Sequence, residues 1–317
     1  MSYVVRRLLH MLPVLFLASI PVFLIIRLAE GDPVMMLLGV EATRETVQAM
    51  RERLGLDQPL WLQYWKWITG VLVGDLGRSV MSDFAVADLL RQRLPATFSL
   101  AVVAACLGSA LAFPAGIVAA LRRGGWFDAG VTALTSVAIS IPHFWLGILL
   151  VLLFAVKLGW LPAGGYVAVT TDPVKYLKLV TLPAVTLALY IAAILARFAR
   201  TSMSEVLLQD YIRTARSKGL PPGGVILKHA LRNALIPAVT VLGVQFGRLM
   251  AGTIIVEVIF AWPGLGQLIM GAINNRDYTV IQGCLLVFIV MVVVSNLVTD
   301  VLYSVIDPRI SLGAPAR

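Results

Sequence analysis

The stretch Asp210–Pro237, DYIRTARSKGLPPGGVILKHALRNALIP, carries five cations and one carboxylate in a chain of 317 residues that is 59% hydrophobic and only 14% charged. It lies between two apolar runs, about Leu179–Ala196 and Ala234–Ile255. A soluble domain averages about 45–50% apolar and about 25% charged residues. The composition, with a mean hydropathy of +0.88, therefore indicates an all-α integral membrane protein, and the charged stretch is a loop between two of its spans.

A helix needs roughly 20 apolar residues to cross the hydrocarbon core. Working outward from the loop, six runs qualify: about Leu8–Leu28, Phe98–Leu121, Val131–Val156, Leu179–Ala196, Ala234–Ile255 and Val280–Val301. The first is too long for a signal-peptide core and is read as a retained helix. Lys and Arg favour short cytoplasmic loops. The loop after the fourth run has seven cations (Arg197, Arg200, Arg213, Arg216, Lys218, Lys228, Arg232) against Glu205 and Asp210. Residues 29–96 have nine acids and seven bases. Both termini are expected in the cytoplasm and residues 29–96 outside. The net charge of +9 is thus assigned to topology rather than to nucleic acid.

In the outer segment, ATRETVQAMRERLG sets Val47, Met50 and Leu54 on one helical face, with Thr43 as N-cap and Gly55 past the end. LWLQYWKW follows, and its aromatic density suits a helix at the membrane–water interface; the alternative is a small soluble core above the membrane. Cys106 and Cys284 sit in apolar runs and are read as small buried residues. Pro114, Pro142, Pro183 and Pro237 lie in or at the edges of spans, where prolines kink helices. Gly243, Gly247 and Ala251 form a small-residue face suited to close helix approach. Gln245 and Arg248 share a face of the same span, near mid-membrane. A charge at that depth needs an aqueous cavity or a partner. Two readings stand: the pair faces an aqueous cavity that a substrate contacts, or Arg248 makes a structural ion pair inside the bundle, with an acid such as Asp300.

SEVLLQDYIRTARSKG reads as one helix, capped by Ser204, with Glu205 near its positive end and Lys218 near its negative end. Gly219 supplies a left-handed stop and Pro221-Pro222 forbid continuation. Leu207, Tyr211, Thr214 and Ala215 share a face; Arg213 and Arg216 share another. This is a docking element for a cytoplasmic partner; a loop that only enforced topology would not need stops at both ends. No H-E-x-x-H, G-x-S-x-G, metal-spaced Cys/His cluster or G-x-x-x-x-G-K-[ST] loop is present. An intramembrane enzyme is disfavoured, no cofactor is expected on this chain, and if transport is energised by ATP another subunit must supply the nucleotide site.

RTARSKG in this setting resembles the signature loop of the permease subunits of binding-protein-dependent ABC importers. Arg213-Thr214-Ala215 stands where many relatives have Glu-Ala-Ala. That departure, and the longer gap to Leu235-Ile236-Pro237, resemble the dipeptide/oligopeptide/nickel branch, where DYIRTARAKG followed by HALRNALIP is usual. Other landmarks of the branch are GDP at Gly31–Pro33, LGLDQPLWLQYW from Leu54, GDLGRS from Gly74, PATFSL at Pro95–Leu100, PGLG at Pro263–Gly266 and DPRI at Asp307–Ile310.

The resemblance implies a type I ABC importer permease fold with six transmembrane helices. Residues 1–96 would hold the first helix and the periplasmic segment. Residues 97–310 would form the five-helix transmembrane domain with a coupling loop at about 197–233, and 311–317 a cytoplasmic tail. It implies a non-enzymatic transport subunit in a bacterial or archaeal cytoplasmic membrane, passing peptides; nickel chelate or glutathione are alternative cargoes. The implied partners are a homologous second permease, one or two cytoplasmic ABC ATPases carrying ATP and Mg, a periplasmic or lipid-anchored solute-binding protein, and membrane lipid. Asp210, Tyr211, Thr214, Ala215, Lys218 and Gly219 would couple to the ATPase. A secondary transporter is the competing class, but the inverted repeats expected of many such carriers are not evident.

Overall fold

The computed structural model describes residues 3–28, 43–53 and 55–306. Gly31–Pro33, Leu54, Asp307–Ile310 and the tail 311–317 lie outside the described residues, as do the side chains of Met50 and Ala251. The described chain is helical apart from turns and one isolated bridge between Arg78 and Ala85. Its helices are α1 (Tyr3–Leu28), α2 (Arg44–Arg53), α3 (Leu60–Leu72), α4 (Val86–Leu121), α5 (Trp126–Ser140) and α6 (His143–Leu150, continued by a π-helical Val151–Lys157). They continue with α7 (Pro173–Leu207), α8 (Asp210–Ser217), α9 (Leu231–Gly252), α10 (Ile254–Ile259), α11 (Leu265–Asn274) and α12 (Tyr278–Ile306). The short Pro222–Gly224 turn and a π-helical Val225–Ala230 lead into α9.

Among the described residues five helices are long and apolar enough to span a membrane, and six spans result when α5 and α6 are counted together. The third apolar run is therefore two helices bent by 99°, not one. Pro142 has no N–H to donate, and its ring pushes Ile141 out of the helical region, to φ −82° and ψ 123°. The fourth run, the shortest in sequence, belongs to one of the longest helices, α7. Asp172 caps it by accepting from Lys175 N–H at 2.9 Å, with Pro173 in the first turn.

One compact unit comprises Met1–Arg7, Pro95–Gln267 and Met291–Arg317. Its core sets small side chains of α4 (Ala96, Ala101, Ala104) against large ones of α7 (Leu182, Leu187, Ile191, Leu195), with Met250, Phe260 and Trp262 completing it. The small-residue face of α9 takes α12: a side chain on Gly243 would collide with Thr299, and one on Gly247 would stand 3.3 Å from Ser295 Oγ. Ser295 donates to the Gly243 carbonyl at 3.1 Å, so the contact is polar as well as close.

Near Trp262, Glu257 is fully buried and accepts from Thr97 Oγ1 at 2.7 Å, Thr253 Oγ1 at 3.1 Å, and the N–H groups of Gly266 and Gln267 at 2.7 and 3.2 Å. Two of those donors are first-turn amides of α11, otherwise unpaired. Burial pushes the carboxyl's pKa up, against the pull of these hydrogen bonds.

The other unit comprises Leu8–Leu94 and Leu268–Val290. Thr43 caps α2 through Thr46 N–H at 3.3 Å, and Gly55 follows the helix at φ 65°. Asp277 is buried and accepts from Ser79 Oγ, and from Val280 N–H at 3.3 Å. The loop after α3 is thereby tied to the start of α12. Cys284 is buried, but Cys106 is exposed, contrary to the expectation for it. An apolar face turned to lipid satisfies a thiol as well as a core does.

Candidate functional site: a docking helix and a mid-span arginine

α8 begins at Asp210, not at Ser204. α7 continues through Ser204 to Leu207, and Leu208 and Gln209 form the break. Ser204 therefore caps nothing; its hydroxyl is buried inside α7 without a hydrogen-bond partner. The C-terminal stop is as the sequence reads: Lys218 N–H donates to the Thr214 carbonyl at 3.1 Å, and Gly219 turns left-handed at φ 74°.

An eight-residue helix does not hold itself in water. α8 is seated by Ile212 and Ala215, three residues apart and both buried. They pack with Ala120 of α4, Met203 of α7, Val225 and Ala230 of the π-helical segment and Ala234 of α9. Of the face read from the sequence, Ala215 is buried and Leu207 packs against the same cluster, whereas Tyr211 and Thr214 are exposed. Asp210, Tyr211, Thr214, Lys218 and Gly219 are all exposed. Asn233 of α9 donates to the Tyr211 hydroxyl at 2.9 Å, and Thr214 Oγ1 donates to the Asp210 carbonyl at 2.9 Å. The outcome is a short helix fastened by its inner face, with polar and basic groups outward.

The helix leading into α8 is itself latched. Arg200 of α7 forks onto Asp128 of α5, with Nη2 donating to Oδ2 at 2.8 Å. Asp128 is 5% exposed and also accepts from Gly124 N–H at 3.0 Å. Arg197 donates to Ser136 Oγ at 2.6 Å and Thr135 Oγ1 at 3.2 Å. Sequence reasoning counted both arginines as loop charges. Their one sequence signal is spacing: one turn apart, they share a face of a helix that continues past the apolar run.

Gln245 and Arg248 do share a face of α9. Gln245 is buried, Arg248 is exposed, and Arg248 Nη1 donates to Gln245 Oε1 at 3.3 Å. Asp300, suggested as a counter-ion, instead pairs with Arg7 at 3.0 Å. Among the described residues no group of three or more His, Cys, Asp or Glu side chains is placed to hold a metal ion.

The described chain is thus a multi-span helical bundle that carries a separately seated, outward-facing helix between two spans. Residues 112–312 match the family described as binding-protein-dependent transport system inner membrane component, and residues 1–101 match its N-terminal companion. The chain belongs to this family and is a permease subunit of an ABC importer, a multi-pass inner-membrane protein.

It is 43% identical over 310 residues to the glutathione transport system permease protein of Escherichia coli O6:H1, covering 98% of this chain and 99% of that one. It is also 43% identical over 309 residues to a putative peptide transport system permease protein of Brucella abortus, covering 98% of each. The fold is similar to that of the MetNI methionine ABC transporter in inward-facing conformations, with a TM-score of 0.58 at 19% identity, over 69% of this chain and 96% of that one.

Proposed function

We propose that this subunit passes di- or oligopeptides inward across the cytoplasmic membrane, driven by ATP hydrolysed on separate ATPase subunits. α8 is the joint: Ile212 and Ala215 fasten it to the bundle, while Asp210, Tyr211, Thr214, Lys218 and the Gly219 turn meet the ATPase. The observation that carries this reading is the anchoring of so short a helix by its inner face alone, with its polar face left outward. Ala215 acts from the inner side, as part of the seat. The Arg200–Asp128 fork joins α7 to α5 about two turns before the break that leads into α8.

The remaining assembly is a second, similar permease, one or two ATPases binding ATP and Mg, and an external solute-binding protein. Both termini lie in the cytoplasm, as the basic loops require. Arg248, exposed on α9 with Gln245 behind it, gives a peptide carboxylate a passing attraction along the route. Glutathione, itself a tripeptide with free carboxylates, is the second cargo reading, favoured by the name of one relative at 43% identity.

The test is uptake of labelled dipeptide, longer peptide and glutathione into vesicles containing the whole complex, with ATP hydrolysis measured alongside. Cargo-dependent stimulation of hydrolysis is expected. Uptake driven by an ion gradient without ATP would overturn the reading.

A further inference from the structure

α3 has more apolar surface than α1 covers. At about 100° per residue, Leu60, Tyr64, Trp67 and Val71 share one side, and Trp61, Trp65, Ile68 and Leu72 the adjoining side. Gln63, Lys66 and Thr69 lie opposite, with Leu62 among them. The first side meets α1: the Tyr64 ring stands edge-on to Phe16 and Phe23 at 6.2 and 5.2 Å, and its hydroxyl is 2.8 Å from Ser19 Oγ. Trp67 lies 5.6 Å from Phe23. The second side is open at Trp61, Trp65 and Leu72, 69%, 62% and 80% exposed, with Ile68 half-buried between them.

Depth decides what faces the open side. The stretch of α1 that is long and apolar enough to cross a membrane runs from Arg7 to Ile25. Ser19, six residues before Ile25, lies about 9 Å below that end at ~1.5 Å per residue. Half the hydrocarbon thickness is about 15 Å, so Tyr64 reaches well inside it. Each of the three polar side chains has a hydrogen-bond partner within the chain. Lys66 Nζ donates to Gln58 Oε1 at 2.7 Å, Gln63 Nε2 to the Gln58 carbonyl at 2.7 Å, and Thr69 Oγ1 to the Trp65 carbonyl at 2.9 Å. On α1 itself Leu12, Phe16 and Leu17 are open to the same surroundings, so the free face of α3 continues a lipid-facing surface.

We propose that α3 lies within the leaflet reached by the C-terminal half of α1, with Trp61, Trp65, Ile68 and Leu72 embedded among lipid acyl chains. The long ammonium stem of Lys66 extends toward the headgroups. The leaflet is the outer one on the orientation proposed above; the depth does not depend on that orientation. The embedded helix also moors the loop that follows it, which Ser79 fastens to Asp277 at the start of α12.

The test uses the whole chain, with Cys106 and Cys284 replaced by alanine, assembled with its partner subunits in phospholipid nanodiscs. Single cysteines at Trp61→Cys, Trp65→Cys, Leu72→Cys, Lys66→Cys and Thr69→Cys carry nitroxide labels. Collision with dissolved oxygen, which partitions into lipid, is compared with collision with a water-soluble nickel chelate. The oxygen-to-chelate ratio at 61, 65 and 72 should exceed that at 66 and 69 several-fold. Equal chelate access on both faces would place the helix in water and overturn the proposal. Shielding of 61, 65 and 72 from both reagents would also overturn it, by showing a protein on this face. The readout involves no cargo or ATP, so it stands or falls separately from the transport reading.

Discussion

Replacing Ile212 with alanine separates the seating of α8 from the stability of the bundle. Ile212 is fully buried and contributes the largest side chain that α8 places in its contact with Met203, Val225 and Ala230. A buried Ile→Ala change costs about 2–5 kcal/mol. Because α8 is bounded by the break at Leu208–Gln209 and the turn at Gly219, most of that cost falls on its detachment rather than on global unfolding. Taking roughly 2–4 kcal/mol, the ratio of seated to detached α8 falls about 30- to 1,000-fold. Hydrogen exchange at Asp210–Ser217 should accelerate by that factor while the amides of α7 and α9 keep their protection. Cargo-stimulated ATP hydrolysis by the assembled complex should fall, with assembly retained. Tyr211→Phe is the graded control. It removes only the hydroxyl that accepts from Asn233, a bond worth about 0.5–1.5 kcal/mol, and should do correspondingly less. Unchanged exchange together with full coupling in Ile212→Ala would refute the seating argument.

A Cβ at Gly219 would meet no atom within 4 Å, so the cost of Gly219→Val begins with the left-handed backbone, at about 1–2 kcal/mol, and its β-branching adds to it. Assembly should be normal and stimulated hydrolysis reduced; normal coupling in vesicles would contradict the role given to the turn. Glu257→Ala strips the acceptor from two buried amides and two hydroxyls, at about 1–3 kcal/mol for each group left unsatisfied. Subunit yield in detergent should drop well below that of Glu257→Gln, which keeps one acceptor oxygen, and equal yields would argue against the capping role. Arg248→Gln should leave the complex folded and reduce transport chiefly of free-carboxylate cargo; uniform transport loss with a destabilised complex would make the charge structural. Single cysteines at Ser82 and Ser217, both exposed, should label from opposite sides of the membrane, Ser82 from outside. Labelling from the same side would reverse the proposed orientation.

The spans were legible because each apolar run is constrained by the thickness it must cross, whatever it later packs against. What each proline does was not. Pro114, Pro183 and Pro237 sit inside continuous helices, whereas Pro142 ends α5 and begins a bend of 99°. The residue is the same in all four places. The outcome depends on whether neighbouring helices keep the chain helical through the proline, and those contacts are long-range. The same limit hid the buried carboxylates, since Asp128 finds Arg200 72 residues away and Glu257 finds Thr97 160 residues away.

At α8 the legible and illegible parts divide at the helix's two ends. Gly219 and Pro221-Pro222 act through their own backbones, so the stop was readable. The start depends on α7 continuing through Ser204, and α7 continues because Ser202 and Met203 are buried in the bundle. Its two arginines bear on the orientation argument as well. Arg197 and Arg200 were counted among seven loop cations, yet both are committed to α5 within the α7 helix. Removing them leaves Arg213, Arg216, Lys218, Lys228 and Arg232 against Glu205 and Asp210. The segment stays basic, and the positive-inside assignment keeps its sign without the two charges that folding has spoken for.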